Sequence, residues 1–139
     1  MFHSKSITAD YPAPVNRSRL ASIALWGVQL VLAGMFLLAG GSKLAGAPAM
    51  VALFDGIGVG QWFRYVTGGI EVVSAIALLV PSLAAFGALA LVATMIGAVA
   101  THLFIVGGSP AVPVLLLLGS VLVAWTRRDQ LSAALSRRQ

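Results

Sequence analysis

A run of about 23 apolar residues, from Leu20 to Ser42, is long enough to cross the ~30 Å hydrocarbon core of a bilayer as one α-helix. Three further apolar runs follow it, over residues 63–80, 83–106 and 111–126. Charged residues make up 9% of the chain, too few to cover the surface of a soluble domain. The sequence therefore predicts an all-α fold, a four-helix transmembrane bundle over residues 20–128.

The segments outside the four runs are short. Residues 1–19 are polar and contain two prolines, which predicts a disordered cytoplasmic tail. A signal peptide ending near Ala47 is the alternative, but its apolar region would span only roughly 7–15 residues. Pro48 and the two glycines at 56 and 58 are typical of the start and end of a short helix, which we expect to lie in the interface. Residues 129–139 predict a short, basic, amphipathic C-terminal tail.

The basic residues set the predicted orientation. Seven of the nine lie in the two tails: Lys5, Arg17, Arg19, Arg127, Arg128, Arg137 and Arg138. Basic residues concentrate on the cytoplasmic side, so we expect a multi-pass protein of a bacterial plasma (inner) membrane with both termini in the cytoplasm. Because the basic residues lie mainly in the tails, we expect the formal net charge of +5 to favour contact with a membrane surface and not with nucleic acid.

Glu71 is the carboxylate inside a predicted span and is the candidate catalytic residue. An ionisable group in a membrane helix costs about 2.5–3.5 kcal/mol on insertion scales and marks a functional site by default. Thr67 and Ser74 lie one turn to either side of Glu71 on the same helix face. This polar face is predicted to point into the bundle, where Thr94 of the third span lies at nearly the same height.

Three basic or titratable residues are predicted at the outer ends of the spans: Lys43, Arg64 and His102. With Thr67 and Thr94 they are the candidate ligand-binding residues of a pocket that opens toward the outer leaflet. Structural roles remain open for all of them, because Glu71 can lock the bundle by pairing with Lys43 and basic side chains can snorkel to the interface. No metal site is expected, since the chain has no cysteine and one histidine in its predicted spans.

Three motifs occur in a fixed order along the chain. Leu37-Leu38-Ala39-Gly40-Gly41-Ser42-Lys43 closes the first span, Met50-Val51-Ala52-Leu53-Phe54 precedes Gly58-Val59-Gly60, and Thr67-Gly68-Gly69-Ile70-Glu71-Val72 lies in the second span. With these motifs, residues 20–128 resemble the DoxX-like family of small four-helix membrane proteins. The family's lysine and glutamate positions match Lys43 and Glu71. The resemblance implies a link to membrane quinone in sulfur oxidation, or to membrane oxidoreductase assemblies.

The sequence is compatible with three classes of function, of which the third is the least favoured. The first is a DoxX-like subunit that binds a quinone or another lipid-like molecule and supports membrane oxidoreduction. The second is a non-enzymatic assembly or scaffold subunit, and the third is a small oligomeric transporter. In each case the expected partners are the lipid bilayer and either further copies of the chain or other subunits of a membrane complex. The lack of cysteine argues against covalent sulfur chemistry on the protein itself.

The predicted orientation can be tested with single cysteines, because the chain contains none. Ser4→Cys and Ser136→Cys should resist a membrane-impermeant maleimide in intact cells and react after permeabilisation. Ser109→Cys, in the loop between the third and fourth spans, should react in intact cells. Labelling of either terminal cysteine before permeabilisation would overturn the predicted topology.

Overall fold

A computed structural model describes residues 17–138, with side chains from residue 18 onward. Within this range every regular element is helical, so the predicted all-α class is confirmed. The α-helices are α1 (Arg17–Ala45), α2 (Pro48–Ile57), α3 (Gln61–Leu79), α4 (Ala84–Thr101), α5 (Ala111–Thr126) and α6 (Arg128–Ser136). A π-helical turn, His102–Val106, continues α4. The predicted N-terminal tail lies outside the described residues except for 17–19, which form the first turn of α1.

Three of the described helices are long and apolar enough to cross a membrane: α1, α3, and α4 with its π-helical turn. α5 has 16 residues, which spans about 24 Å at 1.5 Å per residue. It reaches the required length only together with α6, whose axis is bent by 52° from that of α5. A fourth crossing by α5 therefore stays a prediction. α2, with 10 residues, is too short to cross.

The four long helices form a bundle in which each packs on two neighbours. α3 packs against α1 and α4, and α5 packs against α4 and, over a smaller area, α1. The core between them is aliphatic and aromatic, with Phe36, Leu78 and Leu91 fully buried. α2 and the loop at residues 107–110 lie at one end of the bundle, here called the α2 end. The turn at residues 80–83 and α6 lie at the opposite end, here called the turn end.

Glycines allow α1 and α3 to approach each other closely. A Cβ atom added to Gly40 would lie 2.8 Å from the carbonyl oxygen of Gly68, and one added to Gly68 would lie 2.9 Å from the Cβ of Lys43. Both distances are shorter than any normal contact, so a larger residue at either position forces the helices apart. Small residues at such crossings are the usual way for membrane helices to pack without a hydrophobic driving force.

A second glycine contact joins α3 to α4 near the turn end. A Cβ atom on Gly87 would lie 2.7 Å from the carbonyl oxygen of Ser74 and 2.9 Å from the Cβ of Ala77. This contact and the short turn at residues 80–83 hold the two helices together at that end. The α2 end of the same helix pair has no glycine crossing of this kind among the described residues.

Polar side chains tie the turn end together. Buried Gln29 of α1 donates from Nε2 to the carbonyl oxygen of Leu78 at 2.6 Å, and its Oε1 accepts from Nε and Nη2 of Arg127 at 3.1 and 2.9 Å. Gln130 of α6 donates to the carbonyl oxygen of Pro81 at 2.6 Å and accepts from the backbone N–H of Ala85 at 3.1 Å. These bonds fix α6 next to the α3–α4 turn, and Gln29 links α1 both to α3 and to the residue between α5 and α6.

The α1–α3 crossing generates a paired prediction at neighbouring glycines. Gly68→Ala should lower the free energy of unfolding by about 1–3 kcal/mol, because the added methyl group overlaps α1. Gly69→Ala should cause no loss, because nothing lies within 4 Å of its added Cβ and alanine favours a helix over glycine by about 1 kcal/mol. Thermal unfolding of both variants in the same detergent measures the difference. Equal stability of the two variants would contradict the close crossing.

Candidate functional site

A buried ion pair joins α1 to α3. The Nζ of Lys43 lies 2.8 Å from Oε2 and 3.1 Å from Oε1 of Glu71, and the side chains are 13% and 2% exposed. Gly40 precedes Lys43 by one turn, and Gly68 precedes Glu71 by one turn, so the glycine crossing brings the two charged side chains together. The prediction that Glu71 faces the bundle interior is confirmed, and Lys43 is its partner.

Arg64 stabilises the backbone next to this ion pair. Its Nη1 donates to the main-chain carbonyl oxygen of Lys43, and its Nε donates to Oε1 of Gln61 at 2.6 Å. The guanidinium group also lies 4.3 Å from the centre of the Tyr65 ring. Carbonyl groups in the last turn of a helix have no partner within the helix and attract positive charge. Arg64 thus caps the end of α1 and fixes the backbone that carries Lys43.

The same hydrogen-bond chain reaches α2. Gln61 donates from Nε2 to Oδ1 of Asp55 at 2.7 Å and to the carbonyl oxygen of Val51 at 3.0 Å. Buried Phe54 packs edge-on against Phe63 of α3, with ring centres 5.9 Å apart. Polar bonds from Val51 and Asp55 and the aromatic contact of Phe54, which lie on one face of α2, therefore hold it against α3.

A cavity of about 670 Å³ lies beside the ion pair, in the half of the bundle near the α2 end. All four long helices contribute to its wall, and α2 contributes Met50, Leu53, Phe54 and Ile57. The wall is mainly apolar, with Lys43 and Glu71 among its few polar groups. Ligand sites in proteins have volumes of about 300–1,000 Å³ and this same mixture of an apolar wall with a few polar groups.

Thr67, Thr94 and His102 also line the cavity. The Thr67 hydroxyl donates to the carbonyl oxygen of Phe63 at 3.0 Å, and that of Thr94 to the carbonyl oxygen of Ala90 at 2.9 Å. Each hydroxyl therefore offers a ligand its acceptor lone pairs. His102 bonds through Nδ1 to the carbonyl oxygen of Ala98 at 2.9 Å, which requires a proton on Nδ1 because a carbonyl oxygen only accepts.

The structure brings five of the six predicted site residues to one cavity wall: Lys43, Thr67, Glu71, Thr94 and His102. Arg64 does not line the cavity, and its guanidinium group is used by Gln61 and the Lys43 carbonyl. Sequence reasoning placed Arg64 at the right height but could not reveal a main-chain partner. It also missed the wall contributed by α2 and α5, because apolar residues carry no signal that separates a cavity from a packed core.

These features define a class: a small helical membrane protein with an ion pair and a ligand-sized cavity inside its bundle. The model of the DoxX-like family matches residues 27–125, which is most of the chain. The chain belongs to the DoxX-like family, as the sequence motifs indicated. No curated protein and no solved structure gives a significant match to it.

The buried pair generates a double-mutant prediction. Lys43→Met should lower the free energy of unfolding by about 3–5 kcal/mol, because it leaves Glu71 buried without a counter-charge. Lys43→Met/Glu71→Met should be more stable than Lys43→Met, because no unpaired charge remains. Arg128→Met, which removes an exposed basic residue, is the control and should have little effect. Thermal unfolding of Lys43→Met, Glu71→Met and the double variant measures the coupling, and additive effects of the two single substitutions would show that the pair is not coupled.

Proposed function

We propose that the chain binds a quinone or another lipid-like molecule in the cavity beside the Lys43–Glu71 pair. The observation that carries the proposal is the position of this ion pair on the wall of a mainly apolar, ligand-sized cavity. A packed core would fill such a space, and an ion pair needed only for packing has no reason to border it. The family's link to membrane quinone supports the choice of ligand.

The donors and acceptors of the wall suit a quinone head group. A quinone presents carbonyl oxygens that accept hydrogen bonds, and its reduced form presents hydroxyl groups that also donate. The Lys43 ammonium has three N–H donors, two of which are directed at the Glu71 oxygens, so one is left for a ligand. Thr67 and Thr94 offer acceptors, and His102 offers an imidazole. The residues present therefore fit both forms of the head group.

Glu71 is the proposed site of proton exchange. A quinone supplies reversible uptake of electrons together with protons. Glu71 can hold or release a proton at its carboxyl group, and Lys43 compensates the charge when the proton is absent. The wall is mainly apolar, so few other groups on it can exchange a proton with a ligand. Electrons would come from a partner subunit, which is consistent with a role in a membrane oxidoreductase complex.

A scaffold function is the alternative, and one observation favours it. Lys43 and Glu71 neutralise each other within the chain, and Arg64 and Gln61 fix their surroundings. Such a network can hold α1, α2 and α3 together without any ligand. In that case the chain would be an assembly subunit of a membrane complex, and loss of the pair would affect stability alone.

The proposal includes location and assembly. We place the protein in a bacterial plasma membrane with both termini in the cytoplasm, which puts the α2 end and the cavity toward the outer leaflet. We expect it to work as a homo-oligomer or as a subunit of a larger complex.

Ligand retention tests the proposal. The protein is purified in mild detergent, and organic extracts are examined by mass spectrometry for quinones and other lipid-soluble compounds at a fixed ratio to protein. Glu71→Gln keeps the size and hydrogen bonding of the side chain but removes proton exchange and the charge that Lys43 needs. We expect it to lower retention while the protein remains inserted and folded.

Ser74→Ala is the matched control. Ser74 is buried on the same face of α3, one turn nearer the turn end, but it does not line the cavity. Its replacement should leave retention unchanged. If the wild-type protein retains no lipid-soluble compound, and Glu71→Leu lowers the free energy of unfolding, the scaffold alternative replaces the proposal.

A further inference from the structure

The cavity wall is open between α3 and α4. Ile70 of α3 lines the cavity but is 41% exposed, and Ala93 and Gly97 of α4 also line it while lying on the exposed surface. A residue that borders a cavity and is also exposed marks the rim of an opening. These three residues are here called the lateral rim.

The small size of the α4 residues explains the opening. Ala93 has a single methyl group, and a Cβ atom added to Gly97 would meet nothing within 4 Å. Toward the turn end, by contrast, Gly87 holds α4 directly against Ser74 and Ala77 of α3. The helix pair is therefore closed between the lateral rim and the turn end, and α4 contributes only small side chains to the rim.

The depth of the lateral rim identifies what lies outside it. Ile70 lies nine residues before the end of α3, and Ala93 lies nine residues after the start of α4. At 1.5 Å per residue both are about 14 Å from the turn end. That is about half of a ~30 Å hydrocarbon core, so the rim faces acyl chains and not water or head groups.

A second opening lies at the α2 end. Ser109, in the loop before α5, and Val112, in the first turn of α5, line the cavity and are exposed. At that level the surroundings are the interface and water. The cavity thus has one opening toward lipid tails and one toward the membrane surface, with Glu71 on the wall between them.

We infer that the lateral rim is the entrance through which a long-tailed amphiphile passes from the bilayer into the cavity, with its tail remaining in the gap between α3 and α4. This inference rests on the proposed function and specifies the ligand class as one with a tail too long for the cavity. A molecule with several tens of tail carbons exceeds a volume of about 670 Å³, so its tail must leave through an opening. The lateral rim is the opening at the depth of the hydrocarbon.

Substitutions at the rim test the inference with two probes. Full-length ubiquinone carries a long isoprenoid tail, and duroquinone has a similar ring without a tail. Gly97→Phe and Ala93→Phe should lower the amount of full-length ubiquinone retained per protein by about tenfold, equivalent to about 1.4 kcal/mol. They should lower the affinity for duroquinone, measured in the same detergent, by a much smaller factor.

Ile96→Phe is the matched control, because Ile96 is exposed on α4 but does not line the cavity. It should retain full-length ubiquinone as the wild-type protein does. Thermal unfolding checks that Gly97→Phe is folded. If the wild-type protein retains ubiquinone and Gly97→Phe retains as much as Ile96→Phe, the entrance is wrong while the proposed function stands. If the wild-type protein binds neither quinone, the proposed function fails for quinones and the entrance fails with it.

Discussion

In the hydrocarbon of a bilayer a carboxylate finds no water, so its position is set by where a counter-charge can reach it. Glu71 lies near the middle of α3, and Lys43 supplies that counter-charge from the α2 end of α1. The two helices must approach closely for the lysine to reach, and Gly40 and Gly68 permit the approach. The ion pair and the glycine crossing therefore depend on each other, and together they place Lys43 and Glu71 on the wall of the cavity.

The fold was largely predictable because it follows from long apolar runs. The lipid environment leaves a helix as the available conformation for each run, and few connections are possible between neighbouring helices. The interior position of Glu71 followed from the cost of exposing it, and Lys43 was identified as a residue able to reach it. The π-helical turn at His102–Val106 carried no such signal, because the apolar sequence continues across it without a break.

The candidate site was only partly predictable, and Arg64 shows why. Its charge and its height along the helix correctly predicted that it lies near Lys43. Its hydrogen-bond partner on Lys43, however, is the main-chain carbonyl group and not the side chain. Every residue has such a group, so no pattern of residue types distinguishes this one. The Gln29–Arg127 contact has a similar origin, because it joins residues 98 positions apart through the bend between α5 and α6. Bonds of this kind depend on the final packing and not on local composition.

The position of the ion pair along the chain has a consequence for biogenesis. α1 leaves the ribosome before α3, so Lys43 is already at its membrane end when Glu71 arrives. A lysine near a helix end can keep its ammonium group hydrated at the membrane surface before its partner is inserted, whereas a carboxylate in the middle of a helix cannot reach water. Lys43, the residue that is stable without an ion-pair partner, is thus synthesised first. Stable insertion of α3 therefore depends on α1. In a chain without α1, the insertion machinery would receive α3 with the charge of Glu71 uncompensated.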